Sequence, residues 1–191
     1  MESQLFCPVS LETKDFASNL IYEVFNEYYD LFGLSKPKVK NLISDQFTME
    51  GSEIQSTFVL LDKKKSPCAV LSSLPVSELK TAQIKSAIHM IRHVEKKNKE
   101  GVLKSIKDFS AKFPVPPPNY FYLSRLIVLA NLRGKNLGEI LLKEFSVLGQ
   151  NYAGLCLHVH KKRESALRFY HKNGYTPISN KNMPYYLLAK N

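Results

Sequence analysis

The chain has 191 residues, which suits one globular domain, since domains usually contain about 100–200 residues. Its 44% hydrophobic and 23% charged residues are typical of an ordinary folded protein and exclude a disordered chain, a fibrous repeat or a coiled coil. The longest apolar run, residues 126–130, is too short to cross a bilayer, and no secretory signal is visible. The three cysteines lack metal-ligand spacing. We therefore expect a cytoplasmic protein without a metal.

The net charge of +10 is distributed unevenly along the chain. Residues 1–79 carry a net charge of −4, whereas residues 80–112 carry +6 and residues 131–191 carry +7. This polarity favours an anionic partner, such as nucleic acid, a phosphate-rich cofactor or an acidic protein. A solubilising excess of lysine explains the same numbers equally well.

The first part of the chain alternates strand and helix patterns. Apolar residues recur with the helical period over residues 15–32. Thr13 or Asp15 can cap the start of this helix, and Gly33 can end it. The predicted elements, in chain order, are a strand at residues 5–9, a helix at 15–32, a helix at 39–47 and a β-hairpin at 57–61 and 68–72.

A lysine-rich helical pattern fills residues 77–112. Gly101 is expected to divide it into two helices, and four residues of its apolar stripe are expected to be buried: Ala87, Ile88, Ile91 and Val94. The proline-rich residues 113–118 predict an extended spacer. The remaining predicted elements are a strand at 120–129, a helix at 137–148, a strand at 155–160, a helix at 165–173 and a strand at 183–188.

The loop at residues 131–138 lies between a predicted strand and the start of a predicted helix. Backbone N–H groups at a helix N-terminus lack intrahelical partners, and the helix dipole favours negative charge there. Arg133 and Lys135 add positive side chains at the same place. The loop therefore predicts an anion site, although a plain turn between a strand and a helix has a similar sequence.

Residues 126–142 resemble the acyl-CoA motif of the GNAT superfamily of N-acetyltransferases, which is Arg/Gln-x-x-Gly-x-Gly/Ala. Arg133 and Gly138 match the motif, and Asn136 stands where the family usually has its middle glycine. Asparagine tolerates a positive φ better than most residues, so the turn is expected to be retained.

A second segment, residues 157–175, is similar to the family's N-x-x-A-x-x-x-Y-x-x-x-G-F/Y pattern. Four residues fit this pattern: Ala166, Tyr170, Gly174 and Tyr175. The family's asparagine is replaced by Arg163, which brings a cation to the expected cofactor region.

The resemblance implies a single α/β domain over residues 1–191. Its central sheet would be mixed and mostly antiparallel, with helices on both faces and a helical insertion, about residues 77–112, between the third and fourth strands. The implied activity is acetyl transfer from acetyl-CoA to a primary amine of a protein or a small molecule. The alternative is a basic module on this scaffold that docks nucleic acid or another polyanion through residues 80–112 with little catalysis.

The resemblance also implies a set of site residues. Tyr170 occupies the position of the tyrosine that protonates the departing thiolate, and His158 is a candidate for the base that accepts the amine proton. His160, or a water held near Tyr122 and Ser124, is the alternative base. Residues expected to contact the cofactor are Leu126, Ile127, Val128, Arg133, Gly134, Lys135, Asn136, Leu137, Gly138, Glu139 and Arg163. The sequence leaves the acceptor and the oligomeric state open.

Overall fold

The computed structural model describes residues 5–178 and 182–191. Its strands are β1 (Leu5–Pro8), β2 (Thr57–Leu61), β3 (Pro67–Pro75), β4 (Tyr120–Val128), β5 (Gly154–His160), β6 (Thr176–Pro177) and β7 (Tyr185–Lys190). Its α-helices are α1 (Lys14–Tyr29), α2 (Lys36–Gln46), α3 (Val76–Ile91), α4 (Lys99–Ser110), α5 (Leu137–Leu148) and α6 (Glu164–Lys172). Single 3₁₀ turns follow α1, precede α4 and follow β4.

The described strands form one sheet in the order β1-β2-β3-β4-β5-β7-β6. Every neighbouring pair is antiparallel except β4 and β5, which run parallel. The predicted α/β fold with a mixed, mostly antiparallel sheet is thus confirmed. Helices α3 and α4 lie between β3 and β4, where the sequence predicted helices.

Helices cover both faces of the sheet. On one face, a core formed by α1 and α2 contacts Val70 of β3 and Ile127 of β4. On the other face, α5 and α6 pack on Leu71 of β3, Leu123 of β4 and Leu157 of β5. We refer to these as the α1 face and the α5 face. The alternation of side chains along a strand therefore sends consecutive residues of β4 into two different cores.

The pairing between β4 and β5 ends halfway along both strands. Residues 120–123 of β4 pair with residues 154–157 of β5, and no pair follows Leu123 and Leu157. Beyond that point β4 continues along β3, and β5 continues along β7. A register shift between Ser72 and Ser73 leaves Ser124 as an extra residue in β4 at the same level. Since such a bulge bends its strand, it helps to separate β4 from β5.

Several predicted boundaries needed correction. Gly101 does not divide the lysine-rich segment, because it lies inside the first turn of α4; the break falls at residues 92–95, where Glu95 has an extended backbone. β3 extends to Pro75, three residues beyond the predicted strand. The last strand begins at Tyr185, two residues later than predicted.

The buried side of α3 also differs from the prediction. Its fully buried residues are Leu79, Ala82, Ser86 and Met90. Val94 is buried and Ile91 packs against the α1-face core as expected, but Ile88 is 45% exposed and Ala87 is only half-buried. Apolar residues occupy more than one side of this helix, so their spacing alone does not identify the side that packs.

Truncation of α3 side chains tests this assignment. Met90→Ala is expected to lower the free energy of unfolding by about 2–5 kcal/mol, because it leaves a cavity in the core. Ile88→Ala, the matched surface control, should change it by less than about 1 kcal/mol. Urea unfolding curves give both values, and a larger loss for Ile88→Ala than for Met90→Ala would contradict the observed packing.

Candidate functional site

The separation of β4 from β5 leaves part of the β4 backbone facing an opening. Leu129 donates its backbone N–H to the Cys68 carbonyl on the β3 side, at 3.1 Å. Because alternate residues of an antiparallel strand hydrogen-bond to opposite neighbours, Val128 and Leu126 turn their N–H and carbonyl groups away from β3. Arg133 Nε, 3.4 Å from the Val128 oxygen, lies on that outer side. The predicted cofactor contacts Leu126 and Val128 therefore present backbone to the opening, whereas Ile127 is directed into the α1-face core.

The loop after β4 presents a run of backbone donors beside this opening. The N–H groups of residues 134–139 have no acceptor within residues 5–178 and 182–191, and the first helical bond of α5 runs from Ile140 to the Asn136 carbonyl. Gly134 and Asn136 both have positive φ, 77° and 60°. The expected left-handed asparagine is thus confirmed. The Asn136 side chain makes no capping bond, so the N-terminus of α5 stays open to an anion.

The first turn of α5 sits close to α6. A Cβ atom on Gly138 would lie 2.9 Å from the Phe169 ring, so glycine allows this approach. Glu139 forms an ion pair with Lys172 of α6, at 3.9 Å. Lys135 is exposed at the loop tip.

Arg163 lies directly before α6, at the end of β5. Its Nη2 donates to the Val24 carbonyl of α1, at 3.4 Å. This contact links the β5 half of the sheet to the α1 face across the opening. The guanidinium is exposed, so a cation is present at the rim of the opening, as the sequence indicated.

Tyr170 projects from α6 into the α5-face core. The side chain as a whole is buried, but its hydroxyl oxygen is accessible to solvent. This hydroxyl has no hydrogen-bond partner among the described residues. Burial raises the pKa of this phenol, which Arg163 lowers to a smaller extent. The side chain therefore keeps its proton at neutral pH and has no protein acceptor for it.

His158 points to the α1 face of β5 and has both ring nitrogens engaged. Nε2 lies 2.8 Å from the Pro114 carbonyl, which can only accept, so Nε2 carries the proton. Nδ1 then accepts the hydrogen bond from the Tyr122 hydroxyl, at 2.8 Å. Burial lowers the pKa of His158 to about 4.

This environment does not favour His158 as the base, a role that stays a prediction from the sequence. Its one lone pair is already used, and its low pKa makes it a poor proton acceptor near neutral pH. His160 is only half-buried, and its Nδ1 accepts the Lys162 N–H at 3.1 Å.

A buried ion pair that the sequence did not predict lies beside β4. Glu53, in the loop before β2, accepts hydrogen bonds from Ser124 Oγ at 2.7 Å and Arg125 Nη1 at 3.2 Å. The two charged side chains are each 9% exposed. Burial acts to lower the pKa of Arg125, but the Glu53 carboxylate outweighs it, so the guanidinium stays charged. Phe25 of α1 covers this guanidinium at 4.3 Å.

Nothing in the local sequence distinguishes Glu53 from the other acidic residues. It is one of eleven acids in the first 79 residues, and its partner Arg125 lies 72 positions away. The signal that was available is Arg125, the one charged residue in the predicted strand at residues 120–129. A buried charge requires a partner, but the sequence does not say which acid supplies it.

Within the part of the chain that the structure describes, no group of three or more His, Cys, Asp or Glu side chains is arranged to hold a metal ion. None of the helices there combines the length and the hydropathy that a membrane crossing requires.

Comparison with known proteins places this architecture in a class. Residues 101–175, from the first turn of α4 to just beyond α6, match the model of the acetyltransferase (GNAT) family. A search of the curated proteins finds no significant match.

Solved structures share the fold at low sequence identity. An N-acetyltransferase from Staphylococcus aureus Mu50 is 15% identical, with 97% of this chain and 100% of that one covered and a TM-score of 0.72. The histone acetyltransferase HPA2 and related acetyltransferase from Corynebacterium glutamicum ATCC 13032 is 16% identical. The match covers 98% of this chain and 96% of that one, with a TM-score of 0.60. The PaiA N-acetyltransferase of Thermoplasma acidophilum, in complex with coenzyme A, is 12% identical, with 98% of both chains covered and a TM-score of 0.56.

The fold is therefore that of the GNAT acetyltransferases. The resemblance to the GNAT superfamily is confirmed, by the family model over residues 101–175 and by the shared fold over nearly the whole chain.

Substitutions of Asn136 test the left-handed turn before α5. Asn136→Ala should lower the free energy of unfolding by about 1–2 kcal/mol, because alanine is strained at positive φ. Asn136→Gly should leave the protein as stable as before or slightly more stable. Chemical denaturation measures both, and equal stability of the alanine and glycine variants would contradict the observed backbone.

The environment of His158 predicts a pH dependence of stability. The folded imidazole has a pKa of about 4, below its usual value of about 6.5, so the unfolded chain binds the proton first as the pH falls. Stability should fall from pH 6.5 to pH 4, by up to about 3 kcal/mol from this group. His158→Gln should remove that loss, whereas His160→Gln, which retains His158, should not. An unchanged loss in His158→Gln would contradict the assignment.

Proposed function

We propose that the protein is an acetyl-CoA-dependent N-acetyltransferase that transfers the acetyl group to a primary amine. The observation that carries the proposal is a pair of neighbouring stretches of unpaired backbone donors. The first is the open edge of β4 at Leu126 and Val128, and the second is formed by the N–H groups of residues 134–139. Acetyl-CoA has matching groups in the same order: an extended amide-containing arm followed by a pyrophosphate.

The residues present fit this donor. The β4 backbone at Leu126 and Val128 would hold the arm, and the open N-terminus of α5 would hold the pyrophosphate, with Arg133 and Lys135 adding positive charge. Gly138 and Glu139 complete the first turn, and Arg163 stands at the rim. The structure of the PaiA enzyme with coenzyme A supports use of this ligand by the fold.

The reactive groups come from both faces of the sheet. Acetyl-CoA supplies an activated acetyl group on a thiol that leaves once it is protonated. The Val128 N–H faces the opening and would stabilise the negative charge that develops on the thioester oxygen. Tyr170, neutral and without a protein partner, would give its proton to the departing sulfur.

We assign His158 a positioning role. Its two hydrogen bonds connect Tyr122 of β4 to Pro114 of the extended segment before that strand. Phe113 packs on the His158 ring at 5.3 Å and stacks on Tyr185 of β7 at 4.0 Å. His158 therefore holds the proline-rich segment against the α1 face beside the opening.

An amine as acceptor is supported by the N-acetyltransferases among the structural neighbours. A polyanion-binding module on this scaffold would give no role to the open β4 edge or to the free hydroxyl of Tyr170. An acetyltransferase would use both the open β4 edge and the Tyr170 hydroxyl, so we favour this function.

Acetyl-CoA should stabilise the folded protein. The expected gain is about 2.7 kcal/mol at a hundredfold excess over the dissociation constant, because only the folded loop presents the amides together. Thermal unfolding with acetyl-CoA, CoA or AMP measures this. The absence of any shift with millimolar acetyl-CoA or CoA would count against the proposal.

Replacement of Tyr170 by Phe should lower the rate of thiol release with a reactive amine by about 10²-fold or more, with little change in acetyl-CoA affinity. The matched control is Tyr175→Phe. Tyr175 packs on Tyr170 at 5.8 Å, and its buried hydroxyl has no partner among the described residues, so removing it should leave turnover unchanged. Equal rates for the wild type and Tyr170→Phe would restrict Tyr170 to packing.

A further inference from the structure

The Glu53 carboxylate is held in place from two elements at once. Its backbone N–H donates to Ser86 Oγ of α3 at 2.9 Å, and its side chain is held by Ser124 and Arg125 of β4. Arg125 Nη1 also contacts Ser124 Oγ at 2.7 Å, so the three side chains form one connected group. A carboxylate held in this way has little freedom to rotate.

Only one of its two oxygens is used by these contacts. Both hydrogen bonds go to Oε1, whereas Oε2 accepts none from the described residues and is not sealed from solvent. A carboxylate that is 8% exposed would ordinarily have both oxygens satisfied by the protein. The arrangement leaves one carboxylate oxygen in a fixed position and available to another molecule.

Ser124 holds this carboxylate beside the point where the sheet opens. Ser124 is the bulged residue directly after the last parallel pair of β4 and β5. Leu126, whose backbone faces the opening, is two residues further along β4, which corresponds to about 7 Å. Arg125 projects to the α1 face, opposite the α5-face core that holds Tyr170. Glu53 and Tyr170 therefore approach the opening from opposite sides of the sheet.

We propose that Glu53 is the catalytic residue that hydrogen-bonds the acceptor amine through Oε2 and takes its proton. This inference rests on the proposed acetyl transfer. As the amine nitrogen bonds to the thioester carbon, it becomes cationic and strongly acidic, so a carboxylate can accept a proton from it. Arg125 supplies the countercharge to this buried carboxylate.

The protons and bonds balance. The new C–N bond forms as the C–S bond breaks; one proton leaves the nitrogen for Glu53, and one proton leaves Tyr170 for the sulfur. The products are an amide and a thiol, and exchange of one proton between Glu53 and Tyr170 through solvent restores both groups. The proton balance is the same whether Glu53 contacts the amine directly or through one water molecule.

The test compares thiol release by the wild type, Glu53→Gln and Glu53→Ala with a reactive amine. Both variants should bind acetyl-CoA with unchanged affinity in thermal-shift titrations but should turn over about 10²-fold or more slowly. Added formate, a small carboxylate that fits the space left by Glu53→Ala, should restore part of the rate in that variant alone. The matched control is Glu50→Gln, an exposed acid of the same loop, which should behave like the wild type.

Removing Glu53 alone leaves the buried Arg125 without an anionic partner, which lowers stability, so a second variant separates loss of the base from loss of the fold. The variant Glu53→Gln/Arg125→Met removes both charges at similar volume and should fold, bind acetyl-CoA and remain slow. A folded variant lacking the carboxylate that turns over at the wild-type rate would overturn the inference. Failure of the wild type to release thiol with any amine would instead overturn the proposed function.

Discussion

Backbone pairing between β4 and β5 stops in the middle of the sheet, and the rest of the site depends on that break. Unpaired backbone groups inside a protein are costly, so an interior strand rarely leaves its neighbour without another partner. Here the freed β4 backbone is followed, after one 3₁₀ turn, by residues 134–139, whose N–H groups are also unpaired. The two stretches form one surface that an extended, anionic ligand can satisfy along its whole length.

The break also determines which side chains can meet. Because strand residues alternate between faces, the opening is approached from the α5 face by Tyr170 and from the α1 face by Glu53 and Arg125. A closed sheet would keep these groups in separate cores. The bulge at Ser124 occurs where pairing ends, so the same residue bends β4 and holds the Glu53 carboxylate.

The sequence predicted the elements that carry regular patterns, and it failed where long-range packing decides. The order of strands and helices and the positive φ of Asn136 followed from hydrophobic period and local backbone preference. The position of Gly101 within α4 did not, because one glycine costs a helix only about 1 kcal/mol and neighbouring contacts override it. The buried side of α3 is likewise determined by packing against α2, β3, β4 and the Glu53 loop. The environment of His158 depends on Pro114, 44 residues away, and no local sequence pattern predicts their contact.

The most direct test of the account is amide hydrogen exchange with and without acetyl-CoA. If the open strand edge and the loop hold the donor, the ligand should slow exchange at Leu126, Val128 and residues 134–139, with smaller effects on strands β1 and β2. Unchanged exchange at those amides under conditions where acetyl-CoA is bound, or protection confined to another part of the molecule, would contradict the account.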